Sequence, residues 1–313
     1  MDALAGLLDG PRARGAFLLR CVMEPPWSMH IKDEAPLCLT AVTSGHVWVV
    51  PEGGEPRRVD AGDIVVTRWD GPYVFGDDPS TPPQIVIHPG QVCTTSEGVE
   101  LVDELAIGTR TWGNSAHGST MMLIGAYQLD GEIGRSLLRA LPPVVILRAE
   151  EWSSPLVPLL AEEIVKDDPG QEAVLDRLLD LLLISVLRTW FARPEADAPA
   201  WYRAHADPVV GRALRLLQHN PAYQWTVASL AAKTGVSRAA LARRFTDLVG
   251  EPPMSFLTGW RLAMAADLLR EPEATVGAVA HQVGYSGPFA LSTAFKRVRG
   301  VSPKQYRERA LTS

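Results

Sequence analysis

Apolar and β-branched residues come in short runs along the first part of the chain, at 16–23, 37–43, 46–50, 57–60 and 64–67. Glu24-Pro-Pro, Ser44-Gly, Pro51-Glu-Gly-Gly and Asp60-Ala-Gly-Asp separate them. Closely spaced short strands between Gly/Pro turns predict a sandwich or barrel. The rhythm lapses over 76–119, a stretch rich in Gly, Pro, Ser and Thr. A segment of that length is a lid, a disordered stretch or the site of an unmarked strand, with 98–107 as the candidate. Strand-like runs resume at 121–128 and 144–147.

The period changes after Glu150. Ser153-Ser-Pro offers an N-cap and an early proline for a helix reaching about Lys166. Asp167-Asp-Pro-Gly breaks it, and a longer helix is predicted over 171–193. Leu175, Leu178, Leu179, Leu182, Val186 and Trp190 form its apolar stripe, which Leu181, Leu183 and Leu187 widen. A helix apolar over so much of its circumference is covered on two sides. The surplus width marks 151–193 as a dimerisation segment, since an exposed stripe of that size is an aggregation liability. Residues 194–208, rich in Pro, Ala and Asp, read as a linker.

The tail, 209–313, is nearly all helical. Trp225-Thr-Val-Ala-Ser-Leu-Ala-Ala-Lys-Thr-Gly-Val-Ser-Arg predicts a helix capped by Thr226, a tight turn at Gly235 and a second helix capped by Ser237. That is a helix-turn-helix. Leu241, Phe245 and Leu248 share one face of the second helix. The other carries Ala239, Ala242, Arg243 and Thr246, flanked by Arg238 and Arg244. Arginine among small residues suits a major groove, where it pairs with guanine O6/N7 while alanine permits close approach. The pattern recurs after a helix over 255–270: Thr275-Val-Gly-Ala-Val-Ala-His-Gln-Val-Gly-Tyr-Ser places Gly284 in the role of Gly235. The following helix is expected to bury Leu291, Phe295 and Val298 and to expose Phe289, Thr293, Lys296 and Arg297. That face is poorer in donors to base edges, so phosphate contact should dominate there.

Charge fits this division. The chain of 313 residues carries a net −6, yet from Asp207 onward 14 Lys and Arg face 7 Asp and Glu. The preceding 206 residues hold 16 basic and 29 acidic groups, which leaves the tail as the polyanion-binding part. Met1 to Gly10 lacks the basic and apolar regions of a secretory signal, and the 178–187 stretch is too short to span a bilayer; a cytoplasmic location without membrane contact is expected. Three cysteines without CxxC spacing indicate neither a disulfide framework nor structural zinc.

Ala228-Ser-Leu-Ala, Leu241-Ala-Arg-Arg-Phe, Gly250-Glu-Pro-Pro and Trp260-Arg-Leu-Ala-Met-Ala-Ala-Asp-Leu-Leu form an ordered series of motifs. It continues in Val279-Ala-His-Gln-Val-Gly-Tyr, Ala294-Phe-Lys-Arg and Gly300-Val-Ser-Pro-Lys-Gln-Tyr-Arg, and it resembles the arabinose-regulator (AraC/XylS) family over about 209–309. The resemblance implies two helix-turn-helix units on a linker helix, reading successive major-groove faces of promoter DNA. It places base contacts at Ala239, Ala242 and Arg243 in the first unit and at Pro288, Phe289 and Thr293 in the second. The second set departs from the polar residues usual there. Activation through RNA polymerase is what the family favours.

The strand pattern, with Ala61-Gly-Asp before Ile64-Val-Val-Thr, resembles the cupin-like sensor domains that precede such tails. The fold class expected is therefore α+β: a cupin-like sensor over 1–150, the helical segment, the linker and an all-α tail. The cupin metal triad is missing, because Cys38-Leu-Thr-Ala-Val stands at the first motif and Tyr73 where a later histidine belongs. No metal or cofactor is expected, and no catalysis. Control by a small-molecule effector in this domain is expected, with Trp27, His30, Trp48, Trp69 and Tyr73 as candidate lining. Cys21 and Cys38, on neighbouring predicted strands, and Cys93 leave a thiol-based redox switch open. A cupin enzyme with a DNA-binding appendage is the remaining alternative. The whole reads as a homodimeric regulator.

Overall fold

The computed structural model describes residues 17–310 apart from 128–130, 133, 135–137, 153, 195 and 272. The expected Ser153 cap, the Gln128 strand end and the amino-terminal residues lie outside the described residues. By its internal contacts the chain divides into two units.

The sheet-rich unit holds β1 (Phe17–Met23), β2 (Ser28–Ile31), β3 (Leu37–Ser44), β4 (His46–Pro51), β5 (Arg57–Asp60), β6 (Ile64–Arg68) and β7 (Tyr73–Gly76). It continues with β8 (Ile85–His88), β9 (Val92–Thr95), α1 (Val102–Leu105), β10 (Ala106–Gly108), β11 (Thr111–Trp112), β12 (Thr120–Tyr127) and β13 (Val144–Leu147). One sheet runs β10-β11-β1-β12-β3-β6-β13 and the other β5-β4-β7-β2-β8-β9. Val42, Val65 and Met122 of the first share a buried core with Met29, Val47, Val49 and Phe75 of the second. The short runs at 37–43, 46–50, 57–60 and 64–67 are thus strands, as their pattern predicts. The 76–119 stretch is not a loop: it contains β8, β9 and the β10–β11 pair. The expected strand at 98–107 is instead interrupted: 102–105 form the helical turn α1, and only 106–107 are extended, at the start of β10. Four-residue strands with single apolar pairs carry too little periodicity to stand out from turn composition.

β3 is buried over six consecutive residues rather than alternately. A strand reads so when both faces of its sheet are covered. Two helices, α2 (Leu156–Glu163) and α3 (Gln171–Phe191), supply the second cover. The Tyr127 hydroxyl donates to the Leu179 carbonyl at 2.9 Å, and a Cβ at Gly125 would come within 2.9 Å of Leu179. Leu160 and Ile164 are also buried, and α2 packs on α3. The broad stripe of α3 is thus consumed largely within the chain, by the sheet on one side and α2 on the other. Val174 and Leu181 remain exposed on α3, as do Leu159 and Val165.

The helical unit contains α4 (Ala200–Ala204), α5 (Val210–His219), α6 (Val227–Thr234), α7 (Arg238–Val249), α8 (Pro253–Leu268), α9 (Val276–Gln282), α10 (Pro288–Arg299) and α11 (Pro303–Ala310). The stretch read as a linker from its composition therefore includes a helix, and Ala204 is buried with α5 to α7. Two apolar cores share α8. Phe256 and Leu257 belong to the first, with Leu230, Leu241 and Phe245. Leu262, Ala265, Ala266 and Leu269 belong to the second, with Val279, Leu291 and Phe295. Leu248 and Val298, expected inside, are 40% and 55% exposed; on α7 the adjacent Val249 takes the core position at that turn instead. No helix among the described residues is long and apolar enough to cross a membrane.

Candidate DNA interface and ligand cavity

Side-chain caps set the starts of the helix-turn-helix units. Thr226 and Ser229 form a reciprocal capping box on α6, Ser237 accepts from the Ala240 amide, and Thr275 accepts from the Ala278 amide. Each such cap contributes about 1 kcal/mol. Gly235 and Gly284 adopt φ +76° and +87° in the two turns, where a side chain is strained. The two units are tied to each other within the helical unit. Arg261, midway along α8, donates to the carbonyls of Pro221 and Tyr223 at 2.7 and 2.8 Å. Gln224 donates to the Gly284 carbonyl at 3.1 Å.

On α7, Arg238, Ala239 and Arg243 are exposed and Ala242 and Thr246 half-buried. On α10, Pro288, Phe289, Thr293, Lys296 and Arg297 are all exposed. Among the described residues no ion pair engages Arg238, Arg243, Lys296 or Arg297, which leaves these guanidinium and ammonium groups available to an external anion. Arg244 differs. Its Nε and Nη2 both grip Asp207 Oδ2, at 2.9 and 2.6 Å, while Asp207 Oδ1 caps α5 through the Val209 and Val210 amides. Arg244 is thereby a tie between α7 and the start of α5, with its side chain still 50% exposed. The two threonines bond back to their own helices, Thr246 to the Ala242 carbonyl and Thr293 to that of Phe289. Phe289 is 85% exposed, so it does not belong to the core. Trp260 and Tyr306 are packing residues, stacked on Phe256 and set edge-on to Phe295.

The sheet-rich unit contains a partly open cavity of about 190 Å3 between its two sheets. Met29, Ile31, Phe75, Ile87, Trp112 and Ile124 supply apolar wall; Asp33, Cys38, Tyr73, Gln91 and Cys93 supply the polar groups. Of the residues proposed from sequence as lining, only Tyr73 takes part. His30 lies between Met29 and Ile31 and so points to the opposite face of β2. Trp48 alternates in the same way with buried Val47 and Val49, Trp69 lies beyond the end of β6, and Trp27 is part of the apolar core. The 76–119 stretch does contribute to the cavity, through Ile87, Gln91, Cys93, Val102 and Trp112. Asp33 lies in a loop and Gln91 ends the short 3-10 turn Pro89–Gln91, and the composition of either segment signals only a turn.

The polar end is compact. Thr67 donates to the Tyr73 hydroxyl at 3.1 Å, and the Ala35 amide donates to Asp33 Oδ1 at 3.1 Å. Burial pushes the Asp33 carboxyl above its ordinary range, against the Ala35 and Gln91 hydrogen bonds that favour its charged form. Burial also pushes the Tyr73 phenol well up. All three thiols are raised by burial, Cys38 to about 12, with Cys21 further up and Cys93 more modestly. Cys21 and Cys38 are not on neighbouring strands, since β12 lies between β1 and β3. The upward shift of Cys21 comes first from burial and second from the nearby Cys93.

Comparison with known proteins agrees with this architecture. A cupin family model matches residues 2–192, and a helix-turn-helix domain model matches residues 230–309. An AraC-like transcription regulator of Streptomyces lividans is 31% identical over 98% of both chains. The transcriptional regulator AlkR of Acinetobacter baylyi is 27% identical over 99% of this chain and 100% of its own. The RCS-specific transcriptional activator RclR of Escherichia coli is 26% identical over 99% and 98%. Two capped helix-turn-helix units on a shared helix, behind a two-sheet cupin domain, place this chain in the family of AraC-like DNA-binding transcription regulators.

Proposed function

We propose that this regulator reads an operator through α7, positions itself through α10, and is controlled by a small organic effector held in the cavity of its cupin domain. The observation that carries the DNA reading is Arg243 on the exposed face of α7, without an ion-pair partner among the described residues and opposite buried Leu241 and Phe245. Arginine in that setting forms a two-pronged contact to guanine, whereas Lys296 and Arg297 at the far end of α10 suit phosphates. Phe289 offers only an apolar surface, which fits a thymine methyl group. The protein acts as a regulator rather than an enzyme, as its relatives are named. Activation through RNA polymerase accords with the naming of RclR as an activator. The homodimer is assigned to the exposed apolar residues left on α2 and α3.

An operator selected by the purified chain from random duplexes tests the DNA reading. Arg243→Ala is expected to cost roughly 1–3 kcal/mol on that operator and to relax preference at one base pair. Lys296→Ala should weaken operator and scrambled DNA alike and flatten the salt dependence by about one counterion. Equal losses on both DNAs for Arg243→Ala would remove its role as a reader. The thiol reading has less support: a redox thiol needs a depressed pKa and open access, and burial moves all three cysteines the other way.

A further inference from the structure

We propose that the cavity takes a small apolar amine, an aromatic or branched body of roughly nine non-hydrogen atoms whose protonated nitrogen sits against Asp33. The inference rests on the effector reading above and names the chemistry of that effector. Size comes first. An apolar cavity of about 150 Å3 holds a benzene molecule. The cavity here, at about 190 Å3, has room for such a ring and two or three further atoms.

Charge decides the head group. Asp33 supplies the carboxyl of the cavity wall, and the other polar groups there are the Cys38 and Cys93 thiols, the Tyr73 phenol and the Gln91 amide. Among the described residues no lysine, arginine or histidine lines the cavity. Among the described residues no basic side chain pairs with Asp33, and Lys32 beside it is exposed. Its hydrogen bonds come from the Ala35 amide and the Gln91 side chain, both neutral. Glu34 and Gln91 hold positive φ, 57° and 62°, so the backbone around this carboxyl is strained, as functional sites commonly are.

A carboxylate ligand would bring a second negative charge beside Asp33 with nothing to offset it. An alcohol donates an ordinary hydrogen bond. An ammonium donates a charge-assisted one, roughly twice as strong, and relieves the burial of the carboxylate as well. The expected order is therefore amine, then alcohol, then acid.

Calorimetric titration of the full chain with 2-phenylethylamine, 2-phenylethanol and phenylacetate tests this order. The amine is expected to bind about tenfold tighter than the alcohol, and phenylacetate more weakly than either. Asp33→Asn, nearly isosteric, should bring amine and alcohol within about threefold of each other. Ile124→Trp, which fills the cavity, should abolish binding of all three while the far-ultraviolet circular dichroism stays unchanged. If phenylacetate or the alcohol binds as tightly as the amine, or Asp33→Asn leaves the amine's affinity intact, the head-group assignment falls and the effector cavity stands. Amine binding that survives in Ile124→Trp also overturns it, since the site is then elsewhere. If none of the three binds at millimolar concentration, the cavity reading falls with it.

Discussion

Gly284→Ala is expected to destabilise the helical unit by about 3 kcal/mol or more, whereas Gly235→Ala should cost only about 1. Both glycines occupy the turn of a helix-turn-helix with positive φ, +87° and +76°, so both substitutions carry the same backbone strain. Their surroundings differ. A Cβ at Gly235 meets nothing within 4 Å, while one at Gly284 comes within 2.6 Å of Ala222 Cα and 2.9 Å of its carbonyl oxygen. It also comes within 2.8 Å of the Arg261 guanidinium, one of the groups that tie α8 to the Pro221–Tyr223 turn. Backbone cannot step aside as a flexible side chain can, so the second unit must shift against the first. Urea unfolding should show the difference in stability. Operator titration should show a further loss for Gly284→Ala, because two displaced units no longer meet successive groove faces together. Equal midpoints for the two variants would mean that the contact at Ala222 relaxes freely.

Leu182→Glu is expected to unfold the sheet-rich unit or cost about 4 kcal/mol, and Leu181→Glu to leave its stability within about 0.5. The two leucines are adjacent on α3, but Leu182 is fully buried and Leu181 is 51% exposed. A carboxylate at Leu182 would be buried away from solvent. At Leu181 it would stand in water in the monomer and within the proposed apolar contact in the dimer. Thermal unfolding of both variants measures the first effect. Sedimentation of Leu181→Glu measures the second, with monomers expected. A dimer that persists in Leu181→Glu would place the interface away from α2 and α3.

Legibility in the sequence followed the strength of each periodic signal. The long helices and their caps were readable because apolar spacing, Thr226, Ser237 and the turn glycines repeat one message locally. Strands such as β2, β7 and β8 were not, since four residues contribute two inward side chains each and no more. On the exposed faces of α7 and α10, the exposure of Arg243 and Phe289 followed from helical geometry. The capture of Arg244 by Asp207 did not, because the partner lies 37 residues away.

By itself the sequence determined the family, the two helix-turn-helix units and the division into an acidic, strand-rich part and a basic helical tail. These rest on local spacing and composition, which act within a few turns of chain. Tertiary structure alone decided which face of β2 meets the cavity, that Asp33 and Gln91 join its polar end, and that Gly284 but not Gly235 is pressed against backbone. It also decided how much of the α3 stripe is left over, since α2 and the sheet cover most of it from within. Each of these depends on close approach between segments distant in the chain, and no spacing along a single segment encodes it.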